Sequence, residues 1–379
     1  MTILVTGHEG YIGSRLVPIL QEHGHEVRGL DTNFYTDGLL YDELARPCAG
    51  ARQRDIRRMT ANDLAGVDAV VHLAELSNDP LSLHSEENTY AINHEGSVRI
   101  AELCKEAGVE RFVYTSSCSV YGVPADEPIK DETSETHPQT AYAVCKTLVE
   151  RDLTAMADDS FSPTFLRNAT AYGASPRQRF DIVLNNLAGH AWTTGVINMT
   201  SDGSPWRPMV HVDDICQAIR CTLEAPRADV HNTVFNVGAT DENYTIREIA
   251  EVVADTFTGC KLTVGSSDGD NRSYRVNFDK IHRELPGFET RYTLKDGARQ
   301  LRAIFEEVSM DADTFAFRAF TRLKQLKYLA KTGQIDDSFF WADGATMTEE
   351  RPRRERRPDR VAPRRSSSSD SLSPNSPSA

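Results

Sequence analysis

Apolar residues come in short runs along the first half of the chain, and each run is followed by a stretch with a helical repeat. Thr2-Ile3-Leu4-Val5-Thr6 is the first run, and Leu16, Val17, Ile19 and Leu20 behind it share one face of a helix. His25 to Leu30 is a second run. Asp68-Ala69-Val70-Val71-His72-Leu73-Ala74 reads as a buried strand because its apolar stretch is nearly continuous. Residues 85–107 read as a long helix with Ile92, Val98, Ile100, Ala101 and Leu103 on one face and Gly108 as its C-cap. Strands follow at Arg111–Ser117 and Ser162–Arg167, with a helix at 141–157 between them. This alternation predicts an α/β protein with a Rossmann-type, doubly wound parallel sheet, which takes ligands at the carboxyl ends of its strands.

Beyond residue 175 the pattern shortens. Helices are expected near 180–191, 213–223 and 245–257, and strands at 196–199 and 233–237. Residues 295–307 and 311–331 also read as helical. We therefore expect residues 1–175 to form the dinucleotide-binding domain, with segments near 209–240 returning to it. Residues 176–345 should form mainly a smaller mixed α/β substrate-binding lobe and C-terminal helices. Residues 346–379, rich in Arg, Ser and Pro, cannot bury a core and are expected to be disordered.

The turn after the first strand carries the first chemical signal. Gly7, Gly10 and Gly13 stand at a G-x-x-G-x-x-G spacing between the strand and the helix. Glycines there let the backbone approach a pyrophosphate, which the unpaired N–H groups of the helix N-terminus then bind. The second strand ends in Asp31, about twenty residues on, where a carboxylate takes the adenosine ribose hydroxyls. Thr32 and Asn33 follow it rather than arginine, which favours NAD over NADP.

Length and charge narrow the picture. The 379 residues are enough for two lobes, and no run of 18 apolar residues is present, so no membrane span is expected. The chain enters its first strand at once, so no signal peptide is expected. Seven cysteines form no C-x-x-C pair, as expected of free thiols in a cytoplasmic protein without a structural zinc site. Net charge is −14, and the tail contributes +3 from eight arginines against five acids, leaving −17 for the rest. Such a body is a poor partner for nucleic acid.

Tyr142 and Lys146 lie four apart on one predicted helix and so on one face, with Ser117 standing 25 residues upstream at a strand end. A phenol is a weak base at neutral pH. An ammonium one turn away, together with the positive nicotinamide ring, is expected to lower its pKa. Tyr142 would then take a proton from a sugar hydroxyl while hydride leaves for the cofactor, and Ser117 would hold the same oxygen.

With these residues in view, the chain over roughly residues 1–300 resembles the extended short-chain dehydrogenase/reductases of the NAD-dependent sugar-nucleotide epimerase/dehydratase family. The resemblance is carried by Gly7, Gly10, Gly13, Asp31, Asp55-Ile56, His72-Leu73-Ala74, Asn93, Ser116 to Gly122, Tyr142, Lys146, Leu166-Arg167, Tyr172-Gly173 and Trp206 to Asp214. It implies that Asp55 and Ile56 flank adenine. It places Leu73, Ala74 and Glu75 along the pyrophosphate and nicotinamide ribose, with Asn93 supporting that side. Tyr11, Ile12 and Asn33 join the cofactor contacts, and Lys146 holds the nicotinamide ribose. For the substrate it implies Ser117, Ser119, Thr170, Arg207, Arg272 and Tyr274, with Arg207 on the diphosphate, a role suited to its fork.

The implied activity is NAD-dependent epimerisation of a UDP-, dTDP-, GDP- or CDP-linked sugar through a transient keto sugar. The alternatives are a 4-dehydrogenase or 4-keto-reductase with net redox and, less in keeping with the residues, a 4,6-dehydratase or decarboxylase, or a non-catalytic NAD sensor. A homodimer through the helices at 85–107 and 141–157 is implied as well. Two departures bear on the choice. Cys118-Ser119 stands where dehydratases carry Asp-Glu, and Ser119 where decarboxylating members carry Glu. Glu75 occupies a position that is usually Ala or Gly, and its carboxylate points either to the substrate or to a neighbouring cation. Cys118 and Cys145, beside the catalytic candidates, are expected to serve packing.

Overall fold

The computed structural model describes residues 1–42, 48, 50–122, 129–199, 201–266 and 273–342. Arg272 and the tail after residue 345, both singled out in the sequence, lie outside these residues.

Seven parallel strands form the main sheet: β1 (Thr2–Thr6), β2 (Glu26–Asp31), β3 (Arg52–Gln53), β4 (Ala69–His72), β5 (Arg111–Ser117), β6 (Ser162–Asn168) and a late one at Thr233–Val237. Between β6 and that late strand lie β7 (Thr170–Tyr172), β8 (Val196–Met199) and β9 (Trp206–His211), which makes Thr233–Val237 β10. The sheet order is β10-β6-β5-β4-β1-β2-β3, so the winding reverses between β1 and β4. This is the switch point where doubly wound sheets open a crevice. Both faces are covered, so the central strands are apolar throughout. Ile3, Val5, Ala69, Val70 and Val71 are fully buried, each large side chain worth about 1.5–3 kcal/mol when removed from water. Odd and even positions point to opposite faces, which splits the core into two layers.

The second unit is smaller. β7 and β9 pair in parallel, and β9 pairs antiparallel with β11 (Asn243–Thr245). β8 pairs with β12 (Lys261–Val264). Helices Val183–Thr194, Ile246–Thr256 and Leu294–Glu307 pack a third core against them, around Leu184, Ile249, Leu301 and Phe305. Thr245 and Glu248 form a capping box that starts the second of these helices.

Three expectations change. The helix expected at 85–107 is two helical segments, Glu86–Thr89 and Ser97–Ala107, joined by a π-helical stretch at Tyr90–Gly96. Asn93 sits in that stretch. Its side chain bonds the backbone N–H and C=O of Leu76, at 2.8 and 3.0 Å, instead of facing the cleft. The helix expected at 311–331 breaks into Ala312–Ala316, Arg318–Phe320 and Arg322–Lys331. Its last part packs on the loop after β2, where Gln325 Nε2 donates to Phe34 O at 2.9 Å. The short strands β7, β9, β11 and β12 carry too few residues for a readable period.

Candidate active site

One cleft of about 510 Å³ runs across the carboxyl ends of β1, β2, β4, β5 and β6 and beneath the smaller unit. Its floor begins at the glycine turn. Gly7 has φ +76°, and a Cβ there would sit 2.9 Å from Ala74 N; at Gly13 it would sit 2.3 Å from Gly7 O. No side chain fits at either place, which leaves the backbone open to a ligand. Among the described residues, the N–H groups of Tyr11 and Ile12 at the helix N-terminus donate to no acceptor. Asp31 closes the β2 end. Its carboxylate accepts from Asn33 N at 2.7 Å and Glu9 N at 3.1 Å, and burial raises its pKa despite these bonds. Asn33 takes a left-handed φ of 63°, turning the following loop so that Phe34 and Tyr35 overhang the cleft. Asp55 is held bidentately by Arg57, at 2.9 and 2.7 Å, beside Ile56. A glycine cradle, free helix N–H groups and a ribose-facing carboxylate together fit a dinucleotide.

Tyr142 and Lys146 project from the helix Ala141–Met156, which Thr140 caps through a bond from Ala143 N. Ser117 ends β5, and its hydroxyl, which accepts from Ser119 N at 3.1 Å, lines the cleft together with Tyr142. Lys146 Nζ lies 5.5 Å from the Tyr142 ring centre and also donates to Thr115 O. Its charge is already taken. Glu75 Oε2 lies 2.5 Å from Lys146 Nζ, both side chains being buried. Tyr114, which the sequence did not mark, donates to Glu75 Oε1 at 2.7 Å. Glu75 thus faces a neighbouring cation. Burial raises its pKa, with Lys146 opposing.

This pair corrects the expectation for Tyr142. Its phenol is raised above its ordinary pKa, first by burial and then by the Glu75 and Asp79 carboxylates; Ser117 and Arg179 pull the other way. Lys146 does not depress it because Glu75 neutralises the ammonium locally. In the structure as it stands, Tyr142 is the protonated partner.

The resemblance-derived residues Gly7, Gly10, Tyr11, Ile12, Gly13, Asp31, Asp55, Ile56, Leu73, Ala74, Glu75, Ser117, Ser119, Tyr142, Lys146, Thr170, Arg207 and Tyr274 all line this cleft. Asn33 and Asn93 do not line it and act on its walls. The Ser119 hydroxyl is buried without a partner among the described residues. Cys118 faces away, its thiol donating to Arg167 O at 3.1 Å, and burial pushes it well above the ordinary thiol range. Arg179, Asp181 and Arg322 line the cleft as well, although nothing in their local sequence marks them. Arg179 Nε donates to Asp181 at 2.8 Å and its Nη1 to Ser77 Oγ at 3.1 Å. No group of His, Cys, Asp or Glu among the described residues could hold a metal ion. No described helix is long and apolar enough to cross a membrane.

A doubly wound sheet with a dinucleotide cradle at its switch point, and a Tyr–Lys–Ser set at the far end of the same cleft, defines a nicotinamide-dependent enzyme of the extended short-chain dehydrogenase/reductase class. Residues 3–238, more than half of the chain, match the model of the NAD dependent epimerase/dehydratase family, and the chain belongs to that family. Its cofactor is NAD, and it is an enzyme acting on carbohydrates in nucleotide-sugar chemistry. It is 29% identical over 325 residues to a UDP-glucose 4-epimerase of Corynebacterium glutamicum, covering 81% of this chain and 94% of that protein. Among solved structures it is similar to MoeE5 in complex with UDP-glucuronic acid and NAD. That match has a TM-score of 0.68 and 29% identity and covers 80% of this chain and 98% of that one. It is also similar to DesIV, a dTDP-glucose 4,6-dehydratase of Streptomyces venezuelae with NAD bound, at a TM-score of 0.69 and 26% identity, covering 81% and 97%.

Proposed function

We propose that this enzyme epimerises a nucleotide-diphosphate sugar through a transient keto sugar. The observation that carries the choice within the family is the neighbourhood of Tyr142. Cys118 is turned into the core and Ser119 is a neutral hydroxyl, so neither residue after Ser117 supplies an acid to drive loss of water, and the nearby Glu75 carboxylate is held by Lys146 and Tyr114. When bound, NAD would supply the hydride acceptor for oxidation and the hydride donor for reduction.

The chain's own residues have separate tasks. Tyr142 takes the hydroxyl proton of the sugar, commonly at C4, and gives it back after the keto sugar has turned over. Ser117 holds the same oxygen. Glu75 keeps Tyr142 protonated while the cleft lacks positive charge. Lys146, one helical turn from Tyr142, would hold the nicotinamide ribose, and positive charge brought into the cleft would favour the phenolate. Gly7, Gly10, Tyr11, Ile12 and Gly13 bind the cofactor diphosphate. Asp31, Asn33, Asp55 and Ile56 hold the adenosine, and Leu73 and Ala74 line the nicotinamide side. Arg207 and Tyr274, at the lobe end of the cleft, hold the substrate diphosphate, with Arg272 from the adjoining segment. Ser119 and Thr170 bond sugar hydroxyls loosely enough for the ring to turn.

The test uses sugars deuterated at C4 and linked to UDP or dTDP. Epimerisation yields the C4 epimer with its deuterium retained and no accumulation of NADH. Accumulating NADH would show net redox instead. Deuterium moved to C6 with loss of water would show dehydration. Pairing of two chains through helices Ser97–Ala107 and Ala141–Met156, in the cytoplasm, belongs to the same proposal, and a monomer mass by light scattering would refute the dimer.

A further inference from the structure

The segment after the lobe crosses back over the cofactor end of the cleft. Arg318 pairs with Asp37 at 2.8 Å, Trp341 Nε1 donates to Thr32 O at 2.7 Å, and Arg57 Nη1 donates to Ser338 O at 2.9 Å. These bonds fasten residues 318–341 to the loop that follows Asp31 and to the turn at Ile56–Arg58. Arg322 begins the helix of this segment and is only 4% exposed. Its guanidinium stacks on Tyr35, 4.1 Å from the ring centre, and lines the cleft.

Its backbone N–H donates to Asp181 at 3.1 Å. Among the described residues the guanidinium meets no acceptor and no ion-pair partner. The acids nearby are engaged elsewhere. Asp181 is bonded by Arg179 and by Asn78, and Asp31 by two backbone N–H groups. Arg179 adds a second positive charge to the same wall, and burial beside it presses the Arg322 guanidinium below its ordinary pKa. A guanidinium withdrawn from water without an acceptor is costly, and this one opens only into the cleft. Its five donors in a fixed fork suit a diphosphate.

We propose that Arg322 is a ligand of the NAD diphosphate, carried to it by the C-terminal segment, which thereby clasps the cofactor through the catalytic cycle. Tyr11, Ile12 and Arg322 line the same cleft, so main-chain N–H groups and a guanidinium share the diphosphate. A clasp built from a segment outside the matched family region retains the dinucleotide between half-reactions, as a closed redox cycle needs. The inference rests on NAD occupying the cradle from Gly7 to Asp31.

The test is made on the full chain as wild type, Arg322→Met and Arg322→Lys. NAD, adenosine and UDP affinities are measured by calorimetry, and the NAD released on denaturation is counted per chain. The expected result for Arg322→Met is about tenfold or more weaker NAD binding and loss of co-purified NAD, with adenosine and UDP affinities unchanged. Adenosine lacks the diphosphate, so the ratio of NAD to adenosine affinity isolates the contact from any general loosening. Should the Met variant fail to fold, Arg322→Lys keeps the charge and loses the fork, and a several-fold fall in that ratio is expected. An unchanged ratio overturns the proposal, as does a weakened UDP affinity with NAD unchanged. A wild-type protein that binds neither NAD nor adenosine would instead refute the reading of the cradle itself.

Discussion

Two buried ion pairs share the helix Ala141–Met156, and they are built differently. Glu150 and Arg167 lie under β5 and β6, away from the cleft. Arg167 reaches Glu150 with three N–H···O contacts at 2.6 to 3.2 Å and Tyr121 Oη at 2.9 Å, and Ser116 Oγ donates to Glu150 as well. Tyr121 passes the chain on to Asn236 in β10. Both charges are satisfied by a rigid fork, and the network ties three strands to one helix. Glu75 and Lys146 stand about one helical turn from it, at the cleft. Their cation is a single ammonium on a flexible stem, sharing itself between Glu75 and Thr115 O. The first pair has no second state to go to. The second lines the cleft, and its carboxylate acts directly on Tyr142. The residue type at the cation therefore separates a structural pair from a working one.

The sharpest contrast is between chemistry and fold. Tyr142→Phe should lower turnover by about 10²–10⁴-fold while leaving NAD bound and the thermal midpoint nearly unchanged. Loss of NAD in this variant would mean that the phenol is a wall of the cofactor site and not its reagent. Removing one member of the structural pair should do the opposite. Glu150→Ala strands the Arg167 guanidinium in the sheet, and about 3–5 kcal/mol of stability should go with it, read by urea unfolding. A loss below 1 kcal/mol would show that the Tyr121 and Asn236 contacts carry the network alone.

Glu75→Gln sharpens the comparison from the other side. The phenolate fraction of Tyr142 grows with pH, so activity climbs with pH up to the phenol's pKa. Glu75 raises that pKa and also occupies Lys146. The Gln variant should shift the climb toward lower pH, with a smaller stability loss than Glu150→Ala because Lys146 keeps Thr115 O and faces the cleft. A pH profile that does not move would make Glu75 a packing residue. The smallest effect is expected at Cys118. Its buried thiol is turned away from the cleft, so Cys118→Ala should keep full turnover and resist no alkylating agent better than wild type. A fall in turnover would bring the thiol into the reaction.

Local chain chemistry was enough to find the frame of this protein. The strands at 2–6, 26–31, 69–72, 111–117 and 162–168 carry short apolar runs and could be read directly. The glycine turn, Asp31, and the Tyr142–Lys146 spacing are short-range patterns whose geometry follows from strand and helix periods. The Rossmann-type fold, the NAD site and the family all follow from these. What the chain order could not give is which distant residues meet. Glu75 was visibly out of place, yet its choice of Lys146 over substrate depends on β4 and β5 being neighbours, as does the help of Tyr114. The direction of the Tyr142 shift depends on that same meeting, because a charge acts through a few ångströms of space whatever its place in the sequence. Arg322 is the extreme case. Nothing around it in the sequence marks it, and only the return of the C-terminal helix over Tyr35 removes its guanidinium from water and turns it toward the cleft.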